Sequence, residues 1–212
     1  MMYTNQFQNQ AIAILRNIDD SQLTPVVQGL HESGIRFLEI AANANNSEEE
    51  NARRIVNVVN LNLPGLHVGA GTVTTPEYVR AAAEAGAEFI LSPDTIASVI
   101  GMTKKIGLIS IPGAFSPTEV RHAYEQGADI IKIFPAATLG PSYCKDLLAP
   151  MPGIPFCAVG GVNEKNALDF IRGGAMCVGI GSALFPKAPN GSIDLAAMRE
   201  RASALVAELQ SA

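Results

Sequence analysis

Glu125-Gln126-Gly127-Ala128-Asp129-Ile130-Ile131-Lys132-Ile133-Phe134-Pro135 joins two patterns in one stretch. Its first part closes a helical period on a glycine, the residue that most readily takes the positive φ that ends a helix. Its second part is an apolar run of strand length. The same turn recurs at Glu32-Ser33-Gly34-Ile35, Glu84-Ala85-Gly86-Ala87 and Arg172-Gly173-Gly174-Ala175. The four glycines are 52, 41 and 47 residues apart, about two strand–helix units each.

Outward from these turns the whole chain alternates. Strand-like runs fall at 11–16, 35–41, 66–73, 88–93, 107–112, 129–135, 154–160 and 176–182. Helical periods lie near 21–33, 48–60, 76–86, 95–105, 117–126, 142–149, 164–173 and 194–210. Ser116-Pro117-Thr118-Glu119 and Thr75-Pro76-Glu77 read as helix starts, a capping hydroxyl followed by proline in the first turn. Glu48-Glu49-Glu50 reads as an exposed first turn, where carboxylates face the positive end of the helix. Near-continuous apolar strands separated by helices predict a parallel sheet covered by helices. Four paired units closing on themselves make a (βα)8 TIM barrel, a single α/β domain over residues 1–212. An open doubly wound sheet also alternates, but Ile14-Leu15-Arg16-Asn17 stands where its glycine-rich dinucleotide fingerprint would follow the first strand.

Composition narrows the function classes. Of 212 residues 48% are hydrophobic and 17% charged, which excludes a disordered chain. The net charge is −5 and the only adjacent basic pairs are Arg53-Arg54 and Lys104-Lys105, so no nucleic-acid partner is expected. No apolar run approaches the ~18 residues of a membrane span, and no basic n-region precedes an apolar segment at the start. Cys144, Cys157 and Cys177 are an odd count without a C-x-x-C spacing, and His31, His67 and His122 are scattered, so neither a disulfide framework nor a metal site is expected. A reduced, cytoplasmic setting is expected. Cys157 and Cys177 lie in apolar strands and read as core.

Active sites of such barrels lie at the C-terminal ends of the strands. Of six lysines, only Lys132 lies within an apolar run. Desolvation disfavours the ammonium there, and a neutral buried lysine is the usual Schiff-base former. The competing reading is a structural ion pair with Glu39, but burying two charges costs several kcal/mol per ion and rarely adds net stability. Glu39, inside strand 35–41, is the natural proton carrier for such an amine, or else a solvated strand-end carboxylate. Gly160-Gly161 and Gly179-x-Gly181-Ser182 end the last two strands, where barrels often hold phosphate on loop N–H groups and a helix N-terminus; otherwise they are tight turns. Arg16 either holds a second anion or makes a surface salt bridge. Thr72 either meets substrate or satisfies the Gly69-Ala70-Gly71 turn, and Phe134 packs the barrel while walling the amine pocket.

These residues resemble the 2-keto-3-deoxy-6-phosphogluconate (KDPG) / 4-hydroxy-2-oxoglutarate (KHG) aldolase family over almost the whole chain. The resemblance rests on Ala13-Ile14-Leu15-Arg16, Leu38-Glu39-Ile40, Val68-Gly69-Ala70-Gly71-Thr72-Val73, Ser92-Pro93, Ile111-Pro112-Gly113, Ile131-Lys132-Ile133-Phe134-Pro135-Ala136 and Val159-Gly160-Gly161-Val162. It implies a trimeric barrel with Lys132 forming the Schiff base and Glu39 as general acid/base. Arg16, Thr72 and the Pro93 backbone would surround the pyruvate portion, and Gly160, Gly161 and Ser182 the phosphate, with Gly181 read beside them from the strand-end glycine pattern. The implied reaction cleaves a 2-keto-3-deoxy-6-phospho sugar acid to pyruvate and glyceraldehyde 3-phosphate, with no metal and no cofactor. Ala41-Ala42-Asn43 stands where many gluconate-type members carry Leu-Arg-Thr or Leu-Thr-Thr, and Val159 where they carry threonine. Both are similar to the galactonate-type enzyme, which acts on the C4 epimer. Asp94 replaces a common glycine or asparagine and puts an extra carboxylate near the mouth. A KHG aldolase giving pyruvate and glyoxylate, a non-catalytic barrel binding a phosphorylated ligand, and an isomerase or synthase using the phosphate site alone are the alternatives.

Overall fold

The computed structural model describes residues 4–212. Its strands are β1 (Ala11–Leu15), β2 (Phe37–Ala41), β3 (His67–Gly71), β4 (Phe89–Leu91), β5 (Ile109–Ile111), β6 (Gly113–Ala114), β7 (Ile131–Ile133), β8 (Phe156–Val159) and β9 (Cys177–Ile180). The helices are α1 (Asp20–Glu32), α2 (Glu48–Val59), α3 (Pro76–Glu84), α4 (Ala97–Ile106), α5 (Pro117–Glu125), α6 (Ala136–Leu139), α7 (Ser142–Leu148), α8 (Ala167–Arg172) and α9 (Leu195–Gln210). One parallel sheet runs β5-β4-β3-β2-β1-β9-β8-β7-β6. This is the expected α/β barrel.

The fifth strand explains why eight runs become nine segments. Pro112 has no N–H and interrupts it. Before it, β5 pairs with β4; after it, β6 pairs with β7. Pro112 still accepts the Lys132 N–H at 2.8 Å, so the two halves close the circle.

Each of the four turns that betrayed the fold is a Schellman motif. Gly34, Gly86, Gly127 and Gly174 have φ of 93°, 92°, 94° and 100°. The residue after each glycine donates its N–H to the carbonyl five residues back, as in Ile35 to Leu30 and Ala128 to Ala123. Gly107 makes a fifth, ending α4 with φ 90° and Leu108 bonded to Thr103, so the expected strand 107–112 starts later, at Ile109. At the other ends, Ser47 and Ser116 form capping boxes with Glu50 and Glu119, and Thr75 caps α3; each cap is worth about 1 kcal/mol. The helix expected from 164 starts only at Ala167, because the Asn163 and Asn166 side chains bond local backbone N–H groups and hold a turn.

The core has two layers. Helix faces cover the outside of the barrel, while Phe7, Ile12, Ile14, Phe37, Phe89, Leu91, Ile111, Cys157, Val159 and Cys177 fill its inside. Cys157 and Cys177 are wholly buried, as read from the sequence. Phe7, from a 3-10 turn at Thr4–Phe7, plugs the N-terminal end and packs on Phe37 and Phe89 with centroids 4.3 and 5.5 Å away. Interior glycines leave room for these rings: a methyl on Gly69 would overlap Phe89.

Two glycine substitutions should part company. A methyl on Gly113 would overlap the Pro93 carbonyl, and backbone cannot swing aside. Gly101, within α4, has nothing within 4 Å of an added Cβ. Urea titration should show G113A less stable by about 2 kcal/mol or more and G101A more stable by about 0.5–1 kcal/mol.

Candidate active site

Inward-facing positions near the C-terminal strand ends are where the interior turns polar. A cavity of about 720 Å³ opens there. All ten residues singled out from the sequence line it: Arg16, Glu39, Thr72, Pro93, Lys132, Phe134, Gly160, Gly161, Gly181 and Ser182.

Lys132 is the central residue of β7, in register with Gly113 on one side and Cys157 on the other. It is 6% exposed, and its Nζ sits 4.8 Å from the centroid of the Phe134 ring, a cation–π distance. Glu39 on β2 is 1% exposed, and its Oε2 has no hydrogen-bond partner. Lys132 is absent from the ion pairs of the described residues. The structural-pair reading therefore loses its contact: amine and carboxyl share a cavity without touching.

Burial works on both groups toward neutrality. It pushes the Lys132 amine below the ordinary lysine range, against the attraction of Glu39, Cys157 and Asp94. It raises the Glu39 carboxyl, against the attraction of Lys132 and Arg16. An amine and a carboxyl that face one cavity, each with its charged form disfavoured, can add to a carbonyl and shuttle the protons that addition requires. Gly71 makes this possible, since a methyl there would overlap Glu39 Oε1.

The remaining residues sit on two sides. Arg16, just past β1, donates from Nη2 to Thr72 Oγ1 at 2.7 Å. Thr72 has φ 59°, a costly left-handed conformation for a β-branched residue. It turns the hydroxyl toward Arg16 at the end of β3, and Arg16 makes no salt bridge among the described residues. Opposite, Gly160 and Gly161 take φ of 92° and 76°. The Gly160 carbonyl accepts the Ala137 N–H of α6, and the Gly161 carbonyl accepts Asn166 Nδ2. Both carbonyl dipoles are thus engaged by protein donors, which favours an anion at this bend. α8 begins six residues beyond Gly161, whereas after β9 a 3-10 turn, Ser182–Leu184, starts on the cavity wall.

Of the three departures noted in the sequence, only Val159 lines the cavity. Asn43 lines an adjoining polar pocket with Asp19, Asp20 and Arg54 that shares Asn17 and Ile18 with the cavity. Asp94 lines a groove with Phe115 and His122 that shares Pro93 and Phe134 with the cavity. Sequence reasoning missed Asn17, Asn163, Phe185, Lys187 and Ile193, which also line it. The proline–asparagine–glycine run Pro186-Lys187-Ala188-Pro189-Asn190-Gly191 was a turn signal that could have drawn notice to the last segment. Among the described residues no cluster of three or more His, Cys, Asp or Glu side chains could hold a metal ion, and no helix is long and apolar enough to cross a membrane.

A desolvated lysine beside a proton-carrying carboxyl, at the C-terminal mouth of a parallel barrel, is the equipment of a class I aldolase, a lyase that works through an imine. The chain belongs to the family described as KDPG and KHG aldolase, whose model it matches over residues 5–200. It is 37% identical over 175 residues to a probable 2-dehydro-3-deoxy-6-phosphogalactonate aldolase of Rhizobium meliloti, covering 82% of this chain and 81% of that protein. To the 2-dehydro-3-deoxy-6-phosphogalactonate aldolase of Escherichia coli it is 35% identical, covering 82% and 83%. A KDPG aldolase from Legionella pneumophila, solved with pyruvate captured as a covalent carbinolamine, superposes with a TM-score of 0.78 at 25% identity, covering 98% of this chain and 95% of that one.

The lysine's environment can be read by titration. The charged amine is inert, so labelling of Lys132 by an amine-selective acylating reagent should rise with pH and level off below 10.5, the ordinary lysine value. A free lysine derivative added to the same sample should still be climbing there. Glu39 holds the Lys132 value up, so E39Q should move the midpoint to lower pH.

Proposed function

We propose that this single barrel cleaves a 2-keto-3-deoxy-6-phospho sugar acid, galactonate type before gluconate type, to pyruvate and glyceraldehyde 3-phosphate. The observation that carries the reading is the unpaired, buried Lys132 opposite Glu39 in the cavity. Lys132 Nζ adds to the C2 ketone, and the carbinolamine loses water to a protonated imine. The imine accepts the electron pair as C3–C4 breaks, while Glu39 takes the C4 hydroxyl proton, directly or through one water. The aldehyde leaves, Glu39 returns a proton to C3 of the enamine, and hydrolysis releases pyruvate. Arg16, held against Thr72, faces the substrate carboxylate beside the Pro93 backbone, and Phe134 walls the imine. Gly160, Gly161, Gly181 and Ser182 hold the phosphate on backbone N–H groups.

Support for the galactonate epimer comes from Val159, which lines the cavity without a hydroxyl to offer the C4 oxygen, and from the names of the two relatives. The glycine bend, with its carbonyls turned to protein donors, favours a phosphorylated tail over the bare carboxylate of 4-hydroxy-2-oxoglutarate. A homotrimer in the cytoplasm completes the reading. Exposed Val56 and Val59 on α2, Ile106 on α4 and Tyr124 on α5 are apolar surface of the kind subunit contacts cover.

Incubation with pyruvate and borohydride, followed by peptide mapping, should place the reduced adduct on Lys132. Folded protein that gives no adduct at saturating pyruvate would end the aldolase reading. K132M should lose turnover by about 10⁴-fold or more and keep its fold. Cleavage of the galactonate-derived phosphate should outpace that of its gluconate epimer and of 4-hydroxy-2-oxoglutarate; the reverse order would overturn the substrate assignment.

A further inference from the structure

We propose that Lys187 is the cation that reads the substrate's phosphate charge, and so a specificity-determining residue for phosphorylated substrates. The proposal rests on the phosphate reading of the Gly160-Gly161 bend given above.

Three cations line the cavity: Arg16, Lys132 and Lys187. Arg16 is committed to Thr72 at the β1–β3 side. Lys132 must stay neutral to act as a nucleophile. Backbone N–H groups bring partial charge only, and a phosphate monoester is close to a dianion at neutral pH. Lys187 is the remaining full positive charge, on the segment that begins with Gly181 and Ser182.

The loop carrying it is built, not slack. Residues 186–194 form a hairpin-like strap: Lys187 bridges Ile193 in antiparallel fashion. Asp194 N–H donates to Pro186 O at 2.9 Å and Ala188 N–H to Ser192 O at 2.8 Å. Gly191 takes φ 83° at the bend, and Arg201 Nη1 ties Ala183 O at 2.6 Å. Directly opposed residues in an antiparallel bridge point their side chains to the same face. Ile193 is 4% exposed and lines the cavity, so the face it shares with Lys187 is the inner one. Lys187 itself stays exposed at the mouth. That suits a side chain that meets the phosphate as the substrate seats, with little desolvation to overcome. An arginine fork would be needed for a planar bidentate grip, whereas a point charge suffices beside a backbone cradle.

The test compares wild type, K187Q and K187R on the phosphorylated sugar acid and on its unphosphorylated counterpart, with pyruvate adduct formation as a control. K187Q should raise KM for the phosphorylated substrate about tenfold with kcat nearly unchanged. The unphosphorylated substrate and the pyruvate adduct should be unaffected, and K187R should restore most of the loss. The wild-type preference should also fall with added salt, and less so in K187Q. An unchanged KM in K187Q, or an equal loss on both substrates, overturns the role of Lys187 while leaving the phosphate site standing if wild type still prefers the phosphorylated substrate. A wild type without that preference overturns both.

Discussion

The cost of keeping one amine and one carboxyl out of water governs this molecule. Each would be charged in solution, and each is pushed toward its neutral form by burial rather than by a contact between them. That condition demands an enclosure with almost no other polar group pointing inward. A parallel barrel supplies it, because its strands spend their backbone donors and acceptors on one another, and the wall's side chains are free to be apolar. The same energy that makes Lys132 expensive for stability makes it useful for addition to a carbonyl.

Glycine is the counterpart of that apolar lining. Gly69, Gly71, Gly113 and Gly179 stand where a Cβ would overlap or crowd Phe89, Glu39, the Pro93 carbonyl and Val159. They let large or functional groups occupy the axis without widening the barrel. Gly160 and Gly161 do a different job at the mouth, where left-handed backbone turns carbonyls outward into α6 and the Asn166 amide. A barrel with little insertion between its units thus obtains, from backbone geometry, both room for Glu39 on its axis and a bend at its mouth whose carbonyls are turned to protein donors.

Most of this was legible in the chain. Apolar runs set the strands, glycine turns closed alternate helices, and hydroxyl–proline pairs opened them. A lysine and a glutamate inside apolar strands stand out by the cost of burying them, which is why both were singled out from the sequence, with an ion pair or a solvated strand end as the competing readings. What escaped depended on contacts made outside the run in which each residue was read. The break at Pro112 matters because β4 and β7 lie on opposite sides of it. Gly107 read as strand because its helix-ending bond is to Thr103, not to anything in its own run. Lys187 looked like any solvated lysine until the Ile193 bridge gave its loop an inner face. Asp94 stands near the mouth as read, in a groove that shares Pro93 and Phe134 with the cavity, while Asn43 reaches only the pocket next to it.

Phe7 belongs to neither a strand nor a helix of the barrel, yet it closes the floor beneath the reactive groups. It acts as an electrical insulator. Without it, water would reach the barrel axis from below, the local dielectric would rise, and the lysine would drift back toward an ordinary charged ammonium. A residue outside the barrel's repeating units therefore seals one end of the axis on which the site depends, so a change there would act through the medium around the chemistry rather than through touch.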